Sequence, residues 1–131
     1  MSQENVDRLR AIWDAWNRGD LDTSMLDPDV VYEDTVLPDS AGETYRGPEG
    51  VLRGWIRWAE AWEEFTTEVE QIVDAGERLV SIHTVHLRGK HSGASMTFRY
   101  AYVYTLRDGK VIHIRSYLNP AEALKAVGLS E

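Results

Sequence analysis

The 131-residue chain contains no cysteine, which excludes a disulfide framework, a thiolate metal site and a cysteine nucleophile. Positive charge is also scarce. The 14 Lys and Arg residues against 22 Asp and Glu give a formal net charge of −8, which would repel a phosphate backbone on average. We therefore expect no nucleic-acid partner.

Long apolar runs are missing as well: none approaches the roughly 18 residues that a membrane span needs. The first residues, Met-Ser-Gln-Glu-Asn, lack the basic and apolar regions of a secretory signal. A soluble, cytoplasmic protein without membrane association is expected. There is no Gly-rich phosphate loop, Gly-x-Ser-x-Gly elbow or dinucleotide fingerprint, which disfavours phosphoryl and hydride transfer on familiar scaffolds. The length is typical of a single domain, assigned to residues 1–131.

Apolar residues at helical spacing predict three helices in the first half of the chain. The first ends at Gly19, a short second one covers residues 21–26, and the third begins at Gly47-Pro48. Tryptophans lie on the apolar faces of the first and third helices: Trp13, Trp16, Trp55, Trp58 and Trp62. Such rings either fill a core or line a cavity.

Residues that alternate with a period of two predict strands over 30–34, 67–73, 79–88, 96–106 and 111–118. The polar stretch 37–47 is predicted to be a loop. Asp108-Gly109 favours a type I′ hairpin turn, and Asn119 followed by Pro120 is typical of the start of a closing helix. This order predicts an α+β fold, in which N-terminal helices pack on a curved, mostly antiparallel sheet and leave a cavity between the layers.

Asp34 is the first candidate for chemistry. On its strand it shares a face with Val30 and Tyr32, and the tryptophans of the third helix approach the same interior. A carboxylate among such groups loses hydration and becomes a better general base near neutral pH. The alternative is that Asp34 ends its strand facing water or caps the following loop.

Four aromatic residues share one face of the long strand: Phe98, Tyr100, Tyr102 and Tyr104. They either pack the core or form the wall of a pocket, where a tyrosine hydroxyl can donate a hydrogen bond to an oxygen that gains negative charge.

The histidines do not suggest a metal site. His83 and His86 are three residues apart on a strand, so their side chains point to opposite faces and cannot bind one ion together. His83 shares a face with Ser81 and Val85. It could carry a proton in the interior, or it could be a sheet histidine with satisfied hydrogen bonds.

Several segments resemble SnoaL-like proteins of the nuclear-transport-factor-2-like superfamily. These are WDAWNRGD at 13–20, DVVYED at 29–34, YRGPEG at 45–50, LRDGKV at 106–111 and NPAEAL at 119–124. The resemblance covers essentially the whole chain and implies a cone of helices and a bent sheet. This fold supports isomerases, cyclases, dehydratases, epoxide hydrolases and simple binding proteins. It also implies a homodimer formed through the sheet.

The resemblance carries over to only some catalytic positions. Asp34 matches the catalytic base of ketosteroid isomerases in the superfamily. Their helix-borne tyrosine donor corresponds roughly to Ile12, whereas Tyr102 corresponds to the protonated aspartate of their oxyanion site. Ser116 lies where polyketide cyclases have an aspartate. No pair of aspartates can be placed around Arg99 or Arg115, as the epoxide hydrolases require.

Together these observations predict an acid–base enzyme, without cofactor or metal, for a small hydrophobic, ring-bearing substrate. Asp34 would abstract a proton next to a carbonyl, Tyr102 would stabilise the enolate, and His83 could carry the proton. The residues predicted to form the pocket are Trp13, Trp16, Tyr32, Trp55, Trp58, Tyr100, Ser116 and Leu118. The alternative is a non-catalytic module that binds a ligand or dimerises.

Overall fold

The computed structural model describes residues 2–35 and 43–129, and three helices and six strands lie within these ranges. The helices are α1 (Ser2–Asn17), α2 (Gly47–Glu60) and α3 (Pro120–Ala126). The strands are β1 (Leu26–Asp34), β2 (Glu43–Arg46), β3 (Glu64–Ala75), β4 (Arg78–Arg88), β5 (Ser95–Arg107) and β6 (Lys110–Tyr117). Across both ranges, no helix has the length and apolarity that crossing a membrane would require.

The six strands form one curved sheet in the order β2-β1-β6-β5-β4-β3. Strands β3 to β6 form an antiparallel meander, and β2 pairs with β1 in the same way. Only the β1–β6 pair is parallel among these described strands, and the whole meander separates its two members along the chain. The predicted α+β fold with a mostly antiparallel sheet is confirmed.

Both faces of the sheet bury apolar residues. Helices α1 and α2 cover the face that we call the inner face, where Trp13 and Val51 join the aromatic residues of β5 in the main core. The short helix α3 packs on the opposite, outer face, where Leu124 joins Val80 and Val103. Because side chains alternate along each strand, Ser81, His83 and Val85 of β4 point to the inner face.

The turn and cap signals of the sequence are confirmed. Asp108 and Gly109 have φ angles of 53° and 76°, so both residues adopt the left-handed conformation that a type I′ turn requires. The Asn119 side chain accepts a hydrogen bond from the backbone N–H of Ala121 at 3.0 Å and thereby caps α3.

The predicted helix over residues 21–26 is wrong. This segment forms turns, and β1 already begins at Leu26. The Trp16 indole Nε1 donates to the Asp22 carbonyl oxygen at 2.8 Å, and the Leu26 N–H bonds to the Thr23 carbonyl oxygen. Six residues form too short a helix to be stable alone, so these tertiary contacts determine the backbone. Met25 in this segment is buried and joins the main core.

The end of the predicted loop over 37–47 is a strand, because Glu43–Arg46 form β2; residues 37–42 of that loop lie outside the described ranges. The register pairs Tyr45 with Tyr32 of β1, and the two rings stack with centroids 5.6 Å apart and an interplanar angle of 25°. A stacked cross-strand aromatic pair stabilises a short strand that its local sequence does not predict.

A candidate active site at the end of the first strand

Asp34 is the last residue of β1, and its side chain faces the interior with only 3% exposed. The alternative interpretation, in which this carboxylate faces water at the strand end, is therefore wrong. Val30 and Tyr32 share the inner face with it and are also buried. Burying a carboxylate is costly unless it is hydrogen-bonded, and a partner for Asp34 lies on the neighbouring strand β6.

The Ser116 side chain of β6 provides one such partner. Its hydroxyl donates to Asp34 Oδ1 at 3.3 Å and accepts from the Thr35 backbone N–H at 2.8 Å. The Thr35 hydroxyl in turn donates to the Ser116 carbonyl oxygen at 2.5 Å. Parallel pairing of β1 with β6 continues to Glu33 and Arg115, and this places Asp34 beside Ser116. These contacts restrict the orientation of the carboxylate.

The tyrosines at positions 32, 100, 102 and 104 are all buried on the inner face. Burial raises the pKa of Tyr100 to about 12 and also raises the pKa of Tyr32, Tyr102 and Tyr104. The Asp34 carboxylate adds to the rise of the Tyr32 pKa by charge repulsion. All four hydroxyls therefore stay protonated at neutral pH and can donate hydrogen bonds.

A cavity of about 70 Å³ lies between α1, α2 and the inner face. Five residues of the predicted site line it, namely Trp13, Trp16, Tyr32, Trp55 and Tyr102. Its remaining lining is Leu9, Ile12, Asp22, Met25, Leu26, Val51, Tyr104, Val111 and Ile114. The lining is dominated by apolar and aromatic side chains, and neither Asp34 nor His83 belongs to it.

Four residues that were predicted to form the pocket do not line this cavity. Trp58, Tyr100 and Ser116 are buried in the interior outside its wall. The prediction for Leu118 is wrong, because this side chain is 58% exposed. Strand β6 ends at Tyr117, and the chain then bends toward the cap of α3, so the alternation that places Ser116 inside does not extend to Leu118.

A groove of about 280 Å³ adjoins the cavity, and the two spaces share Trp16 and Trp55. Its other lining residues are Asn17, Phe65, Thr66 and Thr67. The two shared indole rings lie edge to face with centroids 5.0 Å apart. They therefore form a common boundary between the groove and the cavity.

His83 is fully buried, with 0% exposed, and each ring nitrogen has a hydroxyl partner. Nδ1 lies 3.2 Å from Thr67 Oγ1, and Nε2 lies 2.7 Å from Ser81 Oγ. Burial lowers the pKa of His83 to about 3, so the ring is neutral near pH 7. This neutrality argues against the predicted proton-carrying role, although the side chain does face inward.

The sequence did not identify the hydroxyl partners of His83. Ser81 shares a strand face with the histidine, but Thr67 lies on β3, and only the register that pairs Val69 with His83 brings it close. His86 points to the outer face, as alternation predicts, and its side chain is 47% exposed. Over residues 2–35 and 43–129, no three His, Cys, Asp or Glu side chains converge as metal ligands would.

Several solved structures share this fold over nearly the whole chain. An NTF2-like protein of unknown function from Burkholderia pseudomallei K96243 is 23% identical, with a TM-score of 0.75 over 95% of this chain and 97% of that one. A putative SnoaL-like polyketide cyclase from Jannaschia sp. CCS1 is 16% identical, with a TM-score of 0.75 over 99% and 95%. AclR, a putative hydroxylase from Streptomyces galilaeus, is 18% identical, with a TM-score of 0.71 over 98% of each chain.

These identities establish a shared fold and leave the activity open. No curated protein matches the chain at a significant level. The family described as SnoaL-like domain, however, matches residues 9–114, which is most of the sequence. The aromatic interior, the curved sheet and this match agree with one another, and the chain belongs to the SnoaL-like family.

Proposed function

We propose that this protein is an acid–base enzyme of the isomerase, cyclase or dehydratase type that acts on a small hydrophobic, ring-bearing molecule without a cofactor. One observation carries the proposal: the Asp34 carboxylate is buried, accepts a hydrogen bond from Ser116, and lies close enough to Tyr32, Tyr100 and Tyr102 for its charge to raise the pKa of each hydroxyl. A fixed base beside hydroxyl donors in a poorly hydrated interior suits the removal of a proton next to a carbonyl.

In the proposed reaction, a carboxylate oxygen of Asp34 takes the proton from the carbon next to the carbonyl. The electron pair of the broken C–H bond moves into the new C=C bond, and the carbonyl oxygen becomes an enolate oxygen. Tyr102 would stabilise that charge by donating its hydroxyl hydrogen. An isomerisation is completed when Asp34 returns the proton to a different carbon, so the carboxylate is regenerated.

The size of the cavity bears on the substrate. About 70 Å³ is less than the roughly 150 Å³ of an engineered protein cavity that binds benzene. A ring-bearing substrate therefore needs additional space. The boundary formed by Trp16 and Trp55 suggests its source, since displacing one indole would join the cavity to the larger groove.

Proton exchange on model ketones tests the proposed base independently of the physiological substrate. A panel of cyclic ketones is incubated with the protein in D2O, and deuterium incorporation next to the carbonyl is followed by NMR. We expect Asp34→Asn to lower the exchange rate by about 10²- to 10⁴-fold, the usual contribution of a general base. The matched control is Asp14→Asn, because Asp14 is exposed on α1. Exchange that is equal in wild type and Asp34→Asn would exclude the proposed base.

A second candidate is a non-catalytic binding protein, and the composition of the cavity favours it. The cavity wall is mostly apolar and does not include Asp34. In that case wild type and Asp34→Asn would bind the same ketones equally and exchange no protons.

A homodimer, also implied by the family resemblance, would use the part of the outer face that α3 leaves uncovered. Light scattering tests this, because a monomer at high protein concentration would contradict it.

A further inference from the structure

Six buried or largely buried side chains form a continuous series of hydrogen bonds across the inner face, which we call the buried chain. Trp13 Nε1 lies 2.9 Å from the Tyr104 hydroxyl oxygen, which lies 2.6 Å from Ser81 Oγ. Ser81 Oγ lies 2.7 Å from Nε2 of His83, and the other ring nitrogen, Nδ1, lies 3.2 Å from Thr67 Oγ1. Thr67 Oγ1 lies 3.2 Å from the Tyr100 hydroxyl oxygen, which ends the series. The buried chain links α1 to strands β3, β4 and β5.

The direction of donation follows from the first link. An indole N–H can only donate, so the Tyr104 oxygen accepts from Trp13. The Tyr104 hydrogen then goes to Ser81 Oγ, its other partner, and the Ser81 hydrogen goes to His83 Nε2. A neutral imidazole has one donor and one acceptor nitrogen. Because Nε2 accepts, Nδ1 bears the hydrogen and donates to Thr67.

The opposite direction leaves a buried donor without an acceptor. If His83 Nε2 carried the hydrogen, Ser81 would accept it and would donate to Tyr104. The Tyr104 oxygen would then accept from both Ser81 and Trp13, and its own hydrogen would have no acceptor within the buried chain. Buried hydroxyls in folded proteins are nearly always hydrogen-bonded, so this arrangement is disfavoured.

We infer that the buried chain runs in one direction from Trp13 to Tyr100, holds His83 as the neutral Nδ1–H tautomer, and leaves the Tyr100 hydroxyl as a donor to the interior. Thr67 accepts from His83 and passes its own hydrogen to Tyr100. The Tyr100 hydrogen then goes to the Tyr102 hydroxyl, its other hydrogen-bond partner, whereas Tyr104 has no hydrogen-bond partner beyond Trp13 and Ser81 among the described residues. His83 and Thr67 are thus positioning residues that act through Tyr100.

Packing holds the imidazole in this orientation. The His83 ring stacks on Tyr100 with centroids 5.0 Å apart and an interplanar angle of 17°. The Trp13 ring meets it nearly edge-on at 4.5 Å, and Tyr102 does so at 5.4 Å. Rotation of the imidazole that would exchange its two nitrogens therefore requires movement of these rings.

The tautomer is measured by NMR on protein labelled with ¹⁵N-histidine. We expect the His83 Nδ1 signal to be of the protonated type and Nε2 of the unprotonated type between pH 6 and 8. An Nε2–H tautomer, or an equal mixture of both tautomers, in the wild-type protein would overturn the inference. The wild-type spectrum decides the matter alone, so the result does not depend on whether a variant folds.

Two tyrosine variants test the cause of the direction. Tyr104→Phe removes the link that fixes Ser81, so the second His83 tautomer should appear. Tyr45→Phe is the matched control, since this tyrosine is also a buried residue of the inner face but its hydroxyl accepts from Arg57 at 3.4 Å, outside the buried chain. It should leave the tautomer unchanged. A single Nδ1–H tautomer in folded Tyr104→Phe would show that the direction has another origin and would contradict the inference.

The role of Tyr100 as a donor to Tyr102, the proposed enolate donor, rests on the proposed function and has its own assay. In the ketone exchange reaction, Thr67→Val should lower kcat about tenfold with little change in KM, because the donor is misdirected. Thr67→Ser should restore the rate, since it returns the hydroxyl. An unchanged kcat in Thr67→Val would refute this use. If no ketone exchanges but the tautomer is Nδ1–H, the proposed function fails while the direction of the buried chain stands.

Discussion

The neutral state of His83 gives the fold a specific sensitivity to acid. In the unfolded chain this histidine has the ordinary pKa of 6.5, whereas burial lowers the pKa to about 3 in the folded protein. Above pH 6.5 the ring is neutral in both states and the difference has no effect. As the pH falls below 6.5, the unfolded chain takes up a proton that the folded protein cannot accept. Stability is therefore lost from pH 6.5 downward until the pH reaches about 3.

The size of the effect follows from the two pKa values. A difference of one pKa unit corresponds to about 1.4 kcal/mol, so lowering the pH from 7 to 5 should reduce the free energy of unfolding by about 2 kcal/mol through this residue. The side chain is 0% exposed, so solvent does not screen this effect. The polar groups that face it from every packed element are Trp13 on α1, Thr67 on β3, Ser81 on its own strand, and Tyr100 and Tyr102 on β5. None of these is a carboxylate that would favour the imidazolium.

The assay is urea unfolding at several pH values between 7 and 5, with His83→Asn compared with wild type. The variant should be less stable at pH 7, but its loss of stability toward pH 5 should be smaller than that of wild type by about 2 kcal/mol. His91→Asn is the matched control, because His91 is exposed in the turn between β4 and β5 and its replacement leaves the buried ring of His83 untouched. Equal slopes in wild type and His83→Asn would refute the reasoning. If His83→Asn does not fold, NMR titration of the wild-type ring decides, since protonation of His83 above pH 5 would refute it equally.

Three further substitutions test the site and its walls. Ser116→Ala removes a donor to Asp34 and should slow ketone exchange by about tenfold; an unchanged rate would show that Ser116 does not orient the carboxylate. Trp55→Ala should join the cavity to the groove and allow a benzene-sized probe to bind, at a cost of about 3 kcal/mol in stability; ligand-observed NMR that detects no binding would contradict this. Gly54→Ala should lower the free energy of unfolding by about 1–3 kcal/mol in urea unfolding, because the added Cβ would lie 3.0 Å from Tyr32 Cε2. A fully stable Gly54→Ala protein would mean that α2 can move away from β1.

Local signals in the sequence predicted the parts of the fold that depend on local conformation. Asp108-Gly109 adopts the predicted turn because few other residue pairs tolerate two left-handed conformations. Asn119 caps its helix because its side chain reaches a backbone N–H two residues away. The segment 21–26 was mispredicted because its backbone is determined by a bond from Trp16, a contact that the local pattern does not encode.

The candidate site was predictable only in part for the same reason. Alternation along β1 placed Asp34 on the inner face, and this holds in the structure. The partner on β6 and the hydroxyls around His83 depend on strand register, which single-sequence patterns do not specify. Leu118 was misplaced because the predicted strand over 111–118 extends one residue beyond the observed end of β6 at Tyr117.

The parallel pairing of β1 with β6 also has a consequence for how the protein is made. Asp34 and Ser116 are 82 positions apart in the sequence, whereas the hairpins of the meander join neighbouring strands through short turns. Closing so large a loop costs conformational entropy before any contact compensates for it, so the meander is expected to form ahead of this pairing. During translation, a nascent chain has no assembled carboxylate site until its sixth strand has left the ribosome and joined the first.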